Sequence, residues 1–197
     1  MKVHNKSPNS IPILIGFSLL LIGGAQITAF WALKRAIFPL AESYSIVEVQ
    51  PAKFSPQLYW LEIVDNRIQL ALRSIDTTAT SPEIALKEAF AQLLAQPPNS
   101  ELTTTIPKQT RLLDLRISED GIYVDLSREF SQGGGSSSMI YRVAQVLYTA
   151  TSIDPQESVF LSIEGQPLNE DNPLGGEGLL LEYPLTRQNF TRDFLAE

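Results

Sequence analysis

"TRLLDLRISEDGIYVDLSREFSQGGGSSSMIYRVAQVLYTA", residues 110–150, contains the change of period that decides the fold. Leu113, Leu115 and Ile117 recur at every second position, and so do Ile122, Val124 and Leu126 after Glu119-Asp120-Gly121. Such alternation marks two strands with one face each toward a core, joined as a hairpin. Beyond the glycines the period lengthens. Ile140, Val143, Ala144, Leu147 and Thr151 fall at helical spacing, so a helix starting near Ser136–Ser138 should lay one apolar stripe on the sheet. The loop between, Gly133-Gly134-Gly135-Ser136-Ser137-Ser138, reads as a strand-to-helix turn with serine capping. Its alternative reading is an anion or partner cradle made of backbone N–H groups.

Outward from this segment the same logic repeats. "LYWLEIV" and "RIQLALRSI" flank Asp65-Asn66, a pair that tolerates positive φ, and predict a hairpin with Ile68, Leu70 and Leu72 on one face. "SPEIALKEAFAQLLAQPP" predicts a helix: Ser81 caps, Pro82 suits the first turn, and Leu86, Ala89, Phe90, Leu93 and Leu94 recur at its period. "SVFLSIEG" adds a strand with Val159, Leu161 and Ile163 inward. The order β-β-α-β-β-α-β implies an α+β fold, a mostly antiparallel sheet with two helices on one face. Its boundaries are residues 57–190, including a C-terminal extension whose Leu179–Leu181 and Phe190 are too apolar to leave in water, with 191–197 as a tail.

Ahead of this body, "IPILIGFSLLLIGGAQITAFWAL" (Ile11–Leu33) is long enough to cross a bilayer, which takes about 20 residues. It predicts a transmembrane signal anchor after a tail of residues 1–10 and before a linker of residues 34–56. A cleaved secretory signal is the alternative, with Gly23 and Ala25 as small cleavage-site residues. Lys2 and Lys6 precede the span and Lys34 and Arg35 follow it. The α-amino group tips this near balance toward a cytoplasmic tail, a single pass through the cytoplasmic membrane and a body outside.

Composition narrows the chemistry. There is no cysteine, and the single histidine is His4 in the tail. Thiolate metal sites, cysteine nucleophiles and histidine-based triads are therefore excluded. Of the 15 basic side chains four lie in the first 35 residues, whereas all 22 acidic ones come later. An acidic body disfavours nucleic acid as a partner. The glycine loop has no following lysine, so it is no Walker loop, and "NEDNP" (169–173) lacks the spacing of an EF-hand. No cofactor and no metal is expected. The candidate ligand- or partner-binding set is Tyr123, Asp125, Arg128, Gly133, Gly134, Gly135, Ser136 and Ser137. For a carboxylate hydrolase, Asp125 and Glu129 would be the pair to inspect.

Leu58 to about Gly165 resembles the GerMN domain family. The resemblance is carried by "LYWLEIV", by "ALKEAFAQLLAQPP", by "IPKQTRLL" followed by "VDLSREF", by "GGGSSS" and by "VLYTATSIDPQESVFLSIEGQPL". It implies a compact module of an envelope protein that serves assembly and interaction rather than catalysis, with sporulation as one setting. The expected partners are the membrane, through the N-terminal segment, and other envelope proteins or further copies of the chain. A peptidoglycan- or glycan-binding module is the second reading, and a carboxylate-based wall hydrolase the weaker third.

Overall fold

In the computed structural model, which describes residues 54–95, 97–169, 171–175 and 178–195, Asp65 and Asn66 take φ of 50° and 61°. These are the left-handed values that a two-residue hairpin turn requires. They join β1 (Gln57–Val64) to β2 (Arg67–Ser74) in an unbroken antiparallel register. All described residues belong to the unit Gln50–Glu197. The tail of residues 1–10, the span Ile11–Leu33 and residues 34–53 of the linker lie outside the described residues. Among the described residues, no helix is long and apolar enough to cross a membrane.

Ser81 caps α1 (Pro82–Leu94) as expected, its hydroxyl accepting from the Ile84 N–H at 3.3 Å. The helix buries Leu86, Ala89, Phe90 and Leu93. β3 (Leu112–Ser118) and β4 (Gly121–Leu126) form the second hairpin. Gly121 is obligatory there: its φ is +141°, and a Cβ would collide with the Ser158 carbonyl oxygen. That oxygen accepts from the Ile122 N–H at 2.8 Å. α2 (Ser136–Ala150) then crosses over to β5 (Val159–Ile163), and a tight turn leads to β6 (Gln166–Pro167).

The expected order β-β-α-β-β-α-β is found as far as β5, a short strand and further helical turns follow it, and the class is α+β. The single sheet does not hold. β1 and β2 form one two-stranded sheet, and the other strands form a second in the order β3-β4-β5-β6. β4 and β5 pair parallel, because α2 returns the chain to the same end of the sheet. Leu113 is exposed rather than inward, since a bulge between Leu112 and Asp114 takes it out of phase. Ile68 and Leu72 are also exposed; β2 reaches the core through Ala71 and through Leu70, the one residue of the expected face that packs there.

α2 buries far more than one stripe. Arg142, Gln145 and Thr149 are fully buried beside Val143, Ala144, Val146 and Leu147. The reason lies on the outer edge of β1. Leu61 exchanges backbone hydrogen bonds with Thr103 at 2.9 and 2.8 Å. At Tyr59 side chains of α2 take over: the Tyr59 N–H donates to Thr149 Oγ1 at 3.1 Å, and Gln145 Nε2 donates to the Tyr59 carbonyl at 3.1 Å. Gln145 Oε1 also accepts from the Thr105 N–H at 3.1 Å. Buried backbone groups need partners, and here a helix supplies what a strand would otherwise provide.

The C-terminal extension packs against the body through Leu181 and Phe190, whereas Leu180, expected to be covered, is exposed. Leu185 bridges Val159 through backbone bonds of 2.8 and 3.1 Å, and Phe190 of α3 (Arg187–Phe190) is buried. A π-helical turn, Thr191–Leu195, follows. Arg187 closes the C-terminus of α2, donating from Nε to Thr151 Oγ1 at 2.7 Å and from Nη2 to the Tyr148 carbonyl at 2.8 Å. A cation at that end also complements the helix dipole.

Candidate functional site

With Ile122, Val124 and Leu126 buried, β4 must present Tyr123 and Asp125 on its other face. Register decides their neighbours. Arg116 lies opposite Tyr123 and Asp114 opposite Asp125 on β3; Phe160 and Ser162 take the same positions on β5. Two rows result, Arg116–Tyr123–Phe160 and Asp114–Asp125–Ser162. With Gly165 and Pro167 they line a shallow hollow of about 360 Å³ on the outer face of the sheet.

The first row is a stack. The Arg116 guanidinium sits 3.6 Å above the Tyr123 ring. Tyr123 and Phe160 lie 4.7 Å apart at 16°, and Phe160 and Tyr183 6.3 Å apart at 14°. The 4.7 Å separation is the spacing of adjacent strands, so the rings stand side by side above the sheet. Both faces of Tyr123 and of Phe160 are thereby occupied, and only ring edges remain for a partner. Tyr123 donates its hydroxyl to Asp120, whose hydrogen bond and charge hold the phenol above its ordinary pKa. Burial raises the Tyr183 phenol further.

The second row is polar and mostly committed. Asp125 Oδ1 accepts from the Ser162 hydroxyl at 2.7 Å and from the Gly165 N–H at 2.9 Å. It thereby fastens the turn between β5 and β6, where Glu164 and Gly165 have φ of 50° and 78°. Asp114 faces it without an ion pair among the described residues.

The other expected site residues lie elsewhere. Arg128, Gly133, Gly134, Gly135, Ser136 and Ser137 do not line the hollow. Nor does Glu129, which sits in the 3₁₀ turn Arg128–Ser131. Its carboxyl is held below the ordinary range, first by the Ser127 hydroxyl. Gly133 and Gly134 take φ of 66° and 78°. The helix begins at Ser136 with Gly135 as N-cap and no side-chain cap, which corrects the expected serine capping. What organises the loop is Arg142. Its guanidinium donates to the carbonyls of Phe130, of Gln132 at 3.2 Å and of Gly133 at 3.0 Å, and through Nε to Thr105 at 3.0 Å. The loop turns these carbonyls inward onto a buried cation, so it is a clasped turn. Sequence reasoning missed Arg142, Gln145 and Thr149 because polar residues on an amphipathic helix ordinarily face water.

Residues 57–169 match the profile of the family described as "Germane: Sporulation and spore germination". The first GerMN domain of the sporulation protein GerM from Bacillus subtilis is similar in structure, at 23% identity, with a TM-score of 0.53 over 68% of this chain and 98% of that one. The tandem GerMN domains of the same protein match at 21% identity and a TM-score of 0.52, over 68% of this chain and 46% of that one. A putative lipoprotein from Clostridium perfringens matches at 20% identity and a TM-score of 0.47, over 68% and 88% of the two chains. No curated protein matches the chain.

Proposed function

Because the chain belongs to the Germane family of sporulation and spore germination, we propose that its folded unit is a non-catalytic interaction module of the cell envelope. In this reading Ile11–Leu33 anchors the chain in the cytoplasmic membrane, the body lies outside, and assembly with another envelope protein or further copies is its task. The observation that supports docking over chemistry is the state of the outer sheet face. Its rings are stacked on one another, Asp125 is fastened to Ser162 and Gly165, and Arg116 rests on Tyr123. A pre-ordered row of ring edges suits contact with a protein surface, which rewards rigid rings over flexible side chains. It suits a glycan less, since a sugar needs a free ring face to stack upon.

The test places a photo-crosslinking residue at Ser162 of the full chain in its native membrane. One discrete adduct, lost on Phe160→Ala, is the expected result. Failure to form any adduct, with a chain that stays monomeric at every concentration, would refute the proposal. Co-sedimentation of the chain with purified sacculi, abolished by Phe160→Ala, would move the assignment to the glycan reading.

A further inference from the structure

Four of the seven large apolar side chains exposed among the described residues belong to the first hairpin: Ile63 (66% exposed), Val64 (42%), Ile68 (42%) and Leu72 (43%). Such clustering marks a surface built to be covered. β2 is also the outer strand of its sheet, and no strand among the described residues pairs with its far side.

The backbone of that side points away from β1. In an antiparallel pair, facing residues alternate between those that bond each other and those that point away. Leu61 gives both its N–H and its C=O to Thr103, so it bonds nothing on β2. Its register partner Leu70 must therefore direct its own N–H and C=O outward, and with period two so must Ile68 and Leu72. Two of these carbonyls carry side-chain donors, Tyr141 on Ile68 at 3.3 Å and Arg73 on Leu72 at 2.7 Å, both exposed contacts that a strand can displace. β2 has no proline and an unbroken register, and its only charges are Arg67 and Arg73 near its two ends, which leaves Ile68 to Leu72 without a charged guard.

We propose that β2 receives an added strand from a partner protein: an extended segment with alternating apolar residues and an acid at each end. Charge favours a partner of opposite sign over a second copy in register. Arg67 and Arg73 are exposed at the two ends of β2. A second copy paired antiparallel about Leu70 would set Arg67 against Arg73 twice, and a parallel copy in the same register would set each arginine against itself. Like charges facing each other across strands destabilise the pair, whereas acids there would stabilise it. Strand addition draws affinity from main-chain bonds and selectivity from alternate side chains. The surface is distinct from the outer sheet face, and the inference rests on the chain being an interaction module.

The probe is a seven-residue peptide, acetyl-Glu-Val-Thr-Val-Thr-Val-Glu-amide. Paired antiparallel it sets valines opposite Leu72, Leu70 and Ile68 and acids opposite both arginines. Binding to the full chain in detergent is read by fluorescence anisotropy and by backbone amide shifts of residues 67–74. Binding should weaken about tenfold or more when the peptide's terminal acids become lysines, which corresponds to about 1.4 kcal/mol. The variant Arg67→Glu/Arg73→Glu should reverse that order and bind the lysine peptide better. Methylating the peptide nitrogens that face β2 should abolish binding. Equal affinity for both peptides, binding by the N-methylated one, or no binding of any peptide at millimolar concentration overturns the proposal. So does a photo-crosslink between Leu70 of two copies of the full chain, which would assign the edge to a second copy. A photo-crosslinker at Leu70 separates the two levels of the argument. An adduct at Ser162 but none at Leu70 sinks this inference alone, and silence at both sinks the interaction module.

Discussion

Replacing Arg142 by leucine tests whether the glycine loop is a turn held from within. The guanidinium is 1% exposed, and its donors serve four carbonyls, those of Thr105, Phe130, Gln132 and Gly133. Leucine fills similar space and donates nothing. Gln132 and Gly133 are exposed, so water can replace the lost donor there. Phe130 is buried and Thr105 half-buried, and an orphaned buried carbonyl costs about 1–3 kcal/mol. Burial also depresses the Arg142 pKa, so relief of desolvation offsets part of that cost. The balance is a loss of roughly 2–4 kcal/mol. For a domain of this size that corresponds to about 5–15 °C in melting temperature. Circular dichroism melts of the full chain in detergent give the global number, and hydrogen exchange over residues 128–138 gives the local one. Arg142→Lys should recover part of the loss, because one ammonium replaces a fork that reaches four oxygens. A melt within about 2 °C of wild type, with unchanged exchange in the loop, would refute the clasp.

Asp125→Ala should lower stability by about 1–2 kcal/mol and speed amide exchange at Gly165, while Asp125→Asn, which keeps the acceptor, should do little of either. Urea midpoints decide between them. The Tyr183 hydroxyl is buried with no well-formed hydrogen bond among the described residues, and burial raises its pKa in the fold. The unfolded chain therefore ionises this phenol first, so its contribution to stability is complete below about pH 10 and is lost as pH climbs beyond. Tyr183→Phe should shift the alkaline unfolding midpoint upward, as followed by circular dichroism against pH. Asn66→Val forces a β-branched residue to a φ of 61° and should cost about 1–2 kcal/mol in a thermal melt; Asn66→Gly should cost nothing.

Legibility tracked the range of the interaction. Asp65-Asn66 and Ser81-Pro82 act within a few residues of themselves, and the elements they start and stop are those the sequence announces. The candidate site was half legible. Tyr123 and Asp125 could be assigned outward from the alternation of β4, but their companions Asp114, Arg116, Phe160 and Ser162 follow only from register across two strand pairings. The glycine loop, read from the sequence first as a strand-to-helix turn, is a turn whose carbonyls are held by Arg142. No local signal shows that Arg142, eight residues past Gly134 on an amphipathic helix, turns back into the protein.

Amino-acid order alone settled where the hairpins turn, where the helices begin and which strand residues alternate, because turn dihedrals, caps and side-chain period are properties of neighbouring residues. Tertiary structure alone decided that β4 lies parallel to β5, that two sheets form instead of one, and that Gln145 and Thr149 close the edge of β1. A period of two says that a strand has two faces and is silent on which of them finds cover. Ile68 and Leu72 alternate as faithfully as Val124 and Leu126 yet stand in solvent, for burial depends on what the rest of the chain brings alongside.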